Sequence, residues 1–339
     1  MRAWQLETAF GLQHMKPVEM PVPDVGPGDV LLRVLATSLN ARDLRMVRGQ
    51  YNPKQPLPLI PVSDGVGEVV KVGAGIKHVR VGDRVAAALV QGWTTGPPTL
   101  DLIRHCTLGG PLPGMLQQYA VVPEVGVIPV PAYLSNEEAA TLPCAALTAW
   151  SALVTLGKLK DGDRVLVQGS GGVSVFALQI ALAHGAQVWA ISSSHEKQKK
   201  LEALGAAHTL NYRQQPAWGS WARTSSDNHG MDHVIDVGGE HTLRESLNAV
   251  TPGAQISIIG VLSGPSAHLE LRAILMRQIR LQGVFVGHRE SFVQMTAFFE
   301  RNRIKPAVDK VFSFDQVPAA FNYFQSAVHF GKVCIRVAE

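Results

Sequence analysis

The chain has 339 residues, a formal net charge of +4, and 46% hydrophobic against 17% charged residues. This length exceeds what one hydrophobic core usually supports and predicts two domains, while the composition excludes a disordered chain. Lys and Arg are scattered rather than clustered, which argues against nucleic-acid binding. The N-terminus lacks the apolar core of a signal peptide, and no apolar run is long enough to span a bilayer. We therefore expect a cytoplasmic protein with no membrane partner.

Short valine-rich runs fill residues 1 to about 125, among them DVLLRVLATSL, GVGEVVKVGAG and DRVAAALV. The turns PGD, GAG and VGD break them, a pattern typical of an antiparallel, barrel-like unit. The character changes near residue 135. Ser135 followed three residues later by Glu138 forms a capping box and predicts the start of a helix.

From Asp163 onward, buried strand patterns alternate with helical ones. The strands DRVLVQG, QVWAISS, HTLNY, HVIDVGG and AQISIIGVL are separated by helical stretches such as VSVFALQIALAHG, and RLQGVFVG adds a sixth strand. Apolar strands separated by helices predict an α/β fold with a doubly wound parallel sheet. Further helices and a final strand, KVCIRV, follow.

A glycine-rich turn follows the first of these strands, in the sequence QGSGGVS. It lies between a predicted strand and a predicted helix, the context in which such a turn binds a dinucleotide pyrophosphate at a helix N-terminus. The third fingerprint position holds Ser174, the next smallest choice after glycine. The alternative is an ordinary tight turn between strand and helix. The predicted pyrophosphate-binding residues are Gly169, Ser170, Gly171, Gly172 and Val173.

The end of the second strand predicts the choice of dinucleotide. NAD-binding proteins place an acidic residue there for the ribose hydroxyls, but this chain has a run of serines. A carboxylate would repel a 2′-phosphate, so the serines favour NADP(H). The alternative, compatible with this one, is a solvated helix start with Ser194 as N-cap. The side chains nominated for the phosphate are Ser192, Ser193, Lys197, Tyr212 and Arg213.

The whole chain resembles the medium-chain dehydrogenase/reductase superfamily, close to its quinone oxidoreductase-like and zinc-type alcohol dehydrogenase branches. The matching stretches include PGDVLLRVLATSLNARDL, PLIPVSDGVGEVVKVGAGIKHVRVGDRV, LPCAALTAWSAL, QGSGGVS and HFGKVCIRV. The resemblance implies a GroES-like, partly open barrel as the catalytic domain and a central Rossmann domain. We expect residues 1–127 and 268–339 in the first and residues 128–267 in the second, with the active site in the cleft between them.

Zinc members of this superfamily bind their catalytic metal through a cysteine, the histidine of a GHE motif, and a further cysteine or acidic residue. Here the first position matches Asn40, the GHE positions match Val62, Ser63 and Asp64, and the third ligand position matches Cys144. One thiolate without the other two ligands cannot hold tetrahedral zinc. We therefore expect no metal, and a Cys144 that acts as a small buried hydrophobe.

Metal-free relatives reduce activated double bonds, in quinones or enones, with NADPH. By the resemblance, Asn40 and Tyr51 are donors to a substrate carbonyl or a ribose, and Thr148 packs beside the nicotinamide. Tyr51 can equally be a turn aromatic, and Asp64 a simple turn residue. The catalytic candidates are Asn40, Tyr51, Asp64 and Thr148.

The resemblance also extends the cofactor site beyond the glycine turn. The further cofactor positions are Gly260, Val261 and Leu262, facing the nicotinamide, with Gly287, His288, Arg289 and Lys332.

The resemblance further implies that relatives pair RLQGVFVG across a two-fold axis, so we expect a homodimer.

On the helix after Asn40, the charged residues Arg42, Asp43 and Arg45 are interpreted as a surface ion-pair set.

Three functions remain open from the sequence. The first is a zinc-independent NADPH-dependent reductase of enones or quinones. The second is an NADP-dependent alcohol or aldehyde dehydrogenase that works without zinc. The third is a dinucleotide-binding sensor or structural protein with little activity.

Overall fold

The computed structural model describes residues 1–338. Contacts divide the chain into two compact units. The first combines Met1–Leu147 with the segment from His288 onward, and the second is Thr148–Gly287. No helix within the described residues combines the length and apolarity needed to cross a bilayer.

The N-terminal part of the first unit is dominated by short strands, as its sequence predicts. Its elements are β1 (Arg2–Leu6), β2 (Met15–Glu19), β3 (Asp29–Ser38), α1 (Ala41–Val47), β4 (Asp64–Val72), β5 (Arg84–Ala87), α2 (Leu100–His105), β6 (Tyr119–Pro123), β7 (Val127–Pro129) and α3 (Asn136–Ala140).

The predicted capping box begins α3. The Ser135 hydroxyl accepts a hydrogen bond from the Glu138 amide at 3.1 Å, and the Glu138 carboxylate accepts one from the Ser135 amide at 2.8 Å. A π-helical turn (Leu142–Ala146), α4 (Leu147–Trp150) and a second π-helical turn (Ser151–Thr155) follow.

The second unit is the predicted doubly wound domain. The elements are β8 (Arg164–Gln168), α5 (Gly172–Ala183), β9 (Gln187–Ser192), α6 (His195–Ala203), β10 (His208–Asn211), α7 (Trp218–Thr224), β11 (Met231–Asp236), α8 (Leu243–Ala249), β12 (Val250–Ile258), α9 (Leu271–Arg277) and β13 (Arg280–Gly283). Its six strands are all parallel, in the order β10-β9-β8-β11-β12-β13. The order reverses between β8 and β11, the point where such sheets bind ligands beyond the carboxyl ends of the strands.

The C-terminal segment completes the first unit. It contains α10 (Arg289–Asn302), β14 (Val308–Ser313), α11 (Val317–Gln325) and β15 (Lys332–Arg336). Strand β15 pairs antiparallel with β3, with Ile335 opposite Thr37. The main sheet runs β14-β15-β3-β4-β5-β7, with β6 also paired to β3. Both chain ends therefore build one sheet, as expected of a GroES-like domain.

The boundaries between the two units lie after residues 147 and 287. Each is twenty residues later than the boundary predicted from the sequence. Strand β7 pairs with β5, and α3 packs against β3 and β4, so this stretch belongs to the first unit. Strand β13 pairs with β12, which keeps the later stretch in the second unit.

Candidate active site

A buried polar cluster lies where β3 passes into α1. Asn40 precedes the helix, and its backbone amide donates to the Asp43 carboxylate at 2.9 Å. The other oxygen of that carboxylate accepts from the Ser63 amide at 3.1 Å. Asp43 is fully buried, so one carboxylate fixes both the start of α1 and the loop that leads into β4.

The interpretation of Arg42 and Asp43 as part of a surface ion-pair set is wrong. The Arg42 side chain is only 9% exposed and lies 3.4 Å from Asp43. Its guanidinium donates to the carbonyls of Leu108 and Gly110 at 2.8 and 3.2 Å. A seven-residue helix has too few turns for its charge pattern to distinguish the solvent face from the buried face.

Lys332, the first residue of β15, reaches this cluster from the far end of the chain. It is 2% exposed, and its ammonium donates to the Asn40 side-chain oxygen at 2.5 Å and to the Leu39 carbonyl at 2.8 Å. The same nitrogen lies 3.6 Å from the Asp64 carboxylate. The resemblance implies that Lys332 binds the cofactor, whereas here its ammonium is engaged within the first unit.

Asp64 is the first residue of β4 and is fully buried, so it is not a simple turn residue. Strand pairing places it opposite Ser38, whose hydroxyl donates to the carboxylate at 3.0 Å. Burial raises the pKa of Asp64 to about 6, against the opposing effect of the Lys332 ammonium. Asp64 and Lys332 thus form a buried pair in which the acid is hard to ionise.

The residues at the family's zinc positions do not fit the metal. The oxygen of Asn40 is occupied by an ammonium, and Ser63 replaces the histidine. Cys144 is partly exposed rather than fully buried as expected, and desolvation of its thiol raises the pKa of that thiol to about 12. Among residues 1–338, no three His, Cys, Asp or Glu side chains are grouped to hold a metal ion.

Of the other two catalytic candidates, Tyr51 lies near the cluster and Thr148 belongs to the second unit. Tyr51 is 45% exposed in the turn after α1, and the Arg42 guanidinium lies 5.1 Å from its ring centroid. Thr148 is buried in α4. The first unit therefore brings together Asn40, Asp64 and Lys332, with Tyr51 linked to them through Arg42.

In the second unit the glycine turn connects β8 to α5. Gly169 has φ of +76°, in the left-handed region that favours glycine. A Cβ added to Gly171 would meet no protein atom within 4 Å. The backbone at Gly171 is therefore open to the close approach of a ligand, while Ser170 beside it is buried.

Ser174 explains how the turn works without a third glycine. Its hydroxyl is buried and donates to the Gln168 carbonyl, the last of β8, at 2.6 Å. Serine is small enough to lie between β8 and α5. Its hydrogen bond to the Gln168 carbonyl connects the helix to the strand where a glycine would let the two backbones pack directly. No feature of the sequence indicated this bond.

The serines at the end of β9 differ in their exposure to solvent. Ser192 is 1% exposed, and its hydroxyl is buried with no hydrogen-bond partner within residues 1–338. Ser193 and Lys197 are both partly exposed, and Tyr212 is 37% exposed. The Ser194 hydroxyl accepts from the Lys197 amide at 3.3 Å, which confirms Ser194 as the N-cap of α6. Of the nominated side chains, those of Ser193, Lys197, Tyr212 and Arg213 are thus at least partly exposed, whereas that of Ser192 is buried.

A buried carboxylate that sequence reasoning missed organises the loop after β11. Asp236 ends that strand and is fully buried. Because β11 lies beside β8, Asp236 is at the point where the strand order of the sheet reverses. The sequence VIDVGG, an acidic residue between a strand and a glycine pair, was the pattern that could have indicated it. The groups that donate to it are the amides of Gly238 and Gly239 and the side chains of Thr242, Ser246 and Gln168.

The remaining cofactor candidates are divided between the units. A Cβ at Gly260 would lie 2.5 Å from the Val237 carbonyl, so this position requires glycine. Leu262 beside it is 61% exposed, and Val261 is partly buried. Gly287 ends the second unit, whereas Arg289 begins α10 in the first, where its amide donates to the Trp93 carbonyl at 2.9 Å.

Two family models match the chain. Residues 26–132 match the alcohol dehydrogenase GroES-like domain, and residues 172–301 match the zinc-binding dehydrogenase domain. A zinc-type alcohol dehydrogenase-like protein of Schizosaccharomyces pombe is 42% identical over 334 residues, covering 96% of each chain.

Solved structures agree with the family models. A structure from Sinorhizobium meliloti 1021, described as an alcohol dehydrogenase, superposes with a TM-score of 0.93 at 40% identity, covering 99% of this chain and 98% of that one. An NAD-dependent alcohol dehydrogenase superposes with a TM-score of 0.90 at 31% identity over the whole of both chains. The chain therefore belongs to the medium-chain dehydrogenase/reductase superfamily, a family of oxidoreductases that bind a nicotinamide dinucleotide.

Proposed function

We propose that the protein is a zinc-independent, NADPH-dependent reductase of enones or quinones. The observation that carries this proposal is the Asn40–Lys332 contact. An ammonium binds the amide oxygen at the position where zinc members have a metal ligand. The site can therefore offer hydrogen-bond donors to a substrate oxygen but no Lewis-acidic metal.

Bound NADPH would supply the hydride, which adds to the carbon β to the substrate carbonyl. The residues of the chain must then stabilise the negative charge on the enolate oxygen. Asn40 offers an amide N–H and Tyr51 a hydroxyl. The α carbon takes its proton from water or from Tyr51, which completes the reduction. One donor of this kind typically contributes on the order of 10²-fold to turnover.

The test of the reaction class follows NADPH oxidation optically across a panel of enones, quinones and aldehydes, with alcohols plus NADP⁺ in the reverse direction. We expect turnover of at least one enone or quinone. Oxidation of alcohols with every enone and quinone untouched would identify the zinc-independent alcohol or aldehyde dehydrogenase instead. Cofactor binding without turnover of any substrate would leave the sensor or structural role.

The test of the residues uses Asn40→Ala and Tyr51→Phe. Each variant should lower turnover of an enone by about 10²-fold, because each removes one donor to the enolate oxygen. NADPH affinity should stay nearly unchanged. If both variants keep full turnover, these roles are wrong even if the reaction class is right.

The proposed cofactor is NADP(H), held by the glycine turn and by the end of β9. Strand β9 ends in serines in place of an acidic residue, with Ser192 at that position, and Lys197 follows in α6. NADPH should therefore bind at least about tenfold more tightly than NADH, about 1.4 kcal/mol. One relative is described as NAD-dependent, which makes the measurement informative. Equal affinities in a fluorescence titration would refute the preference, and Lys197→Ala should weaken NADPH selectively.

The proposed assembly is a homodimer formed through the edge of the second unit. Strand β13 ends the sheet order, and the nearby helix α9 exposes Leu271, Leu275 and Met276, each more than 70% accessible. An unpaired strand edge beside exposed apolar side chains favours association with a second copy. Light scattering should give twice the chain mass at micromolar concentration, and a strictly monomeric mass would contradict the proposal.

A further inference from the structure

The amide of Asn40 is held at one end by a group that can only donate. Lys332 presents its ammonium to the Asn40 side-chain oxygen at 2.5 Å and to the Leu39 carbonyl at 2.8 Å. An ammonium has three donors and no acceptor, so it can bind the oxygen of an amide but not its nitrogen. A flipped Asn40 would place two groups of donors against each other in a buried site.

The opposite end of the same amide faces Asp64. The Asn40 side-chain nitrogen is buried and makes no hydrogen bond of normal geometry within residues 1–338. It nevertheless acts on the Asp64 carboxyl as a donor and lowers the pKa of that carboxyl. A buried N–H group left unsatisfied is costly, and such groups in native structures often have a functional reason.

We propose that Lys332 is a positioning residue, which fixes the orientation of the Asn40 amide so that its nitrogen rather than its oxygen is offered to the substrate oxygen. This inference rests on the donor role proposed for Asn40. It gives Lys332 a task different from that of a cofactor ligand. The two residues are brought together only by the pairing of β15 with β3, since 292 positions separate them in the chain.

The alternative orientation would oppose the proposed reaction. With the oxygen toward the substrate, Asn40 would repel the carbonyl and the enolate formed from it. Lysine therefore contributes to turnover without touching substrate, through the hydrogen bond that it makes with the amide. If so, removing Lys332 should have no further effect once the Asn40 amide is absent.

The kinetic test is a double-mutant cycle of Asn40→Ala and Lys332→Met, with Lys71→Met as control. Lys71 is an exposed lysine on β4 in the same unit, so its loss should leave turnover unchanged. Lys332→Met should lower kcat for an enone by about tenfold or more, with the NADPH dissociation constant within about twofold of wild type. The double variant should turn over at the rate of Asn40→Ala alone. Additive losses, or a large loss of NADPH affinity, would overturn the proposal.

A second readout does not depend on any substrate. In protein labelled with ¹⁵N-asparagine, the side-chain amide signals of Asn40 are identified by their absence in Asn40→Ala. In Lys332→Met these signals should shift and lose protection from solvent exchange, and Lys332→Arg, which retains a donor, should restore part of the protection. Unchanged signals in Lys332→Met would overturn the proposal. If wild type reduces no enone or quinone while the signals respond as expected, the proposed function fails and the positioning contact stands.

Should Lys332→Met fail to fold, Asn40→Asp takes its place. This variant keeps an oxygen for Lys332 but has no N–H to donate. Its turnover should fall as far as that of Asn40→Ala, and wild-type turnover in Asn40→Asp would refute the requirement for a correctly oriented donor.

Discussion

The glycine turn of the second unit and the Asn40 cluster of the first unit use different parts of the chain. At the turn the backbone provides the site: Gly169 adopts a positive φ and Gly171 leaves open space. At the cluster the site consists of side chains, with Asn40, Asp64 and Lys332 buried against one another. The turn follows the family pattern closely, whereas the cluster replaces the family's zinc ligands.

A backbone conformation typical of glycine also occurs in the first unit, at a position that holds no glycine. Val62 matches the glycine of the GHE motif and still has φ of +72°, although it is β-branched and fully buried. The left-handed region costs a non-glycine residue about 1–2 kcal/mol. The loop around it is held by the Met115 amide, which donates to the Val62 carbonyl at 2.7 Å. The first unit therefore has a backbone conformation that favours glycine at the position matching the motif's glycine, among residues that do not fit a metal.

The largest expected effect is a change in the pH dependence of stability when Asp64, in the cluster of the first unit, is replaced. The pKa of Asp64 is raised from 3.8 to about 6, so its ionisation opposes folding. This destabilisation is absent below about pH 4 and is complete above about pH 6, and it corresponds to about 3 kcal/mol. Relative to wild type, Asp64→Asn should therefore gain about 3 kcal/mol in its free energy of unfolding between pH 4 and pH 7.

Urea unfolding of both proteins across that pH range measures this difference, and groups common to both cancel. A flat difference for Asp64→Asn would mean that the ionisation of Asp64 does not oppose folding.

The second effect tests the claim that the turn acts through its backbone. Gly171 has φ of −77°, which other residues adopt, and an added Cβ meets no protein atom. Gly171→Val should therefore lower the thermal midpoint only by the small cost of a poorer N-cap residue. It should weaken NADPH by at least about tenfold, or about 1.4 kcal/mol, because its side chain would occupy the space proposed for the pyrophosphate. Gly171→Ala should show a smaller loss. Full NADPH affinity in Gly171→Val would show that the dinucleotide does not lie against this turn.

The smallest effect separates folding from binding within the same turn. Ser174→Ala removes the buried hydrogen bond to the Gln168 carbonyl and should lower the free energy of unfolding by about 1 kcal/mol. NADPH affinity should remain within about twofold of wild type, because this hydroxyl is directed to the protein. Denaturant unfolding and fluorescence titration measure the two quantities, and a selective loss of NADPH affinity would instead make Ser174 a cofactor contact.

The sequence could predict the features that are determined by residues close together in the chain. The glycine turn, the Ser135 capping box and the alternating strands of the second unit are all local patterns, and the structure contains each of them. The resemblance to a known family supplied the pairing of the two chain ends. The sequence could not predict the contact of Lys332 with Asn40, because nothing in either segment indicates that they meet. The interpretation of Asp43 as a surface residue was wrong, because the burial of a charged residue depends on the loops that cover it.

We infer that an amide fixed by an ammonium takes the place of zinc in the first unit. Elemental analysis of the purified protein tests this, combined with its enone or quinone reductase activity before and after a strong chelator. We expect no stoichiometric zinc and unchanged activity after chelation. One tightly bound equivalent of zinc, with activity lost on its removal and restored on its return, would contradict it.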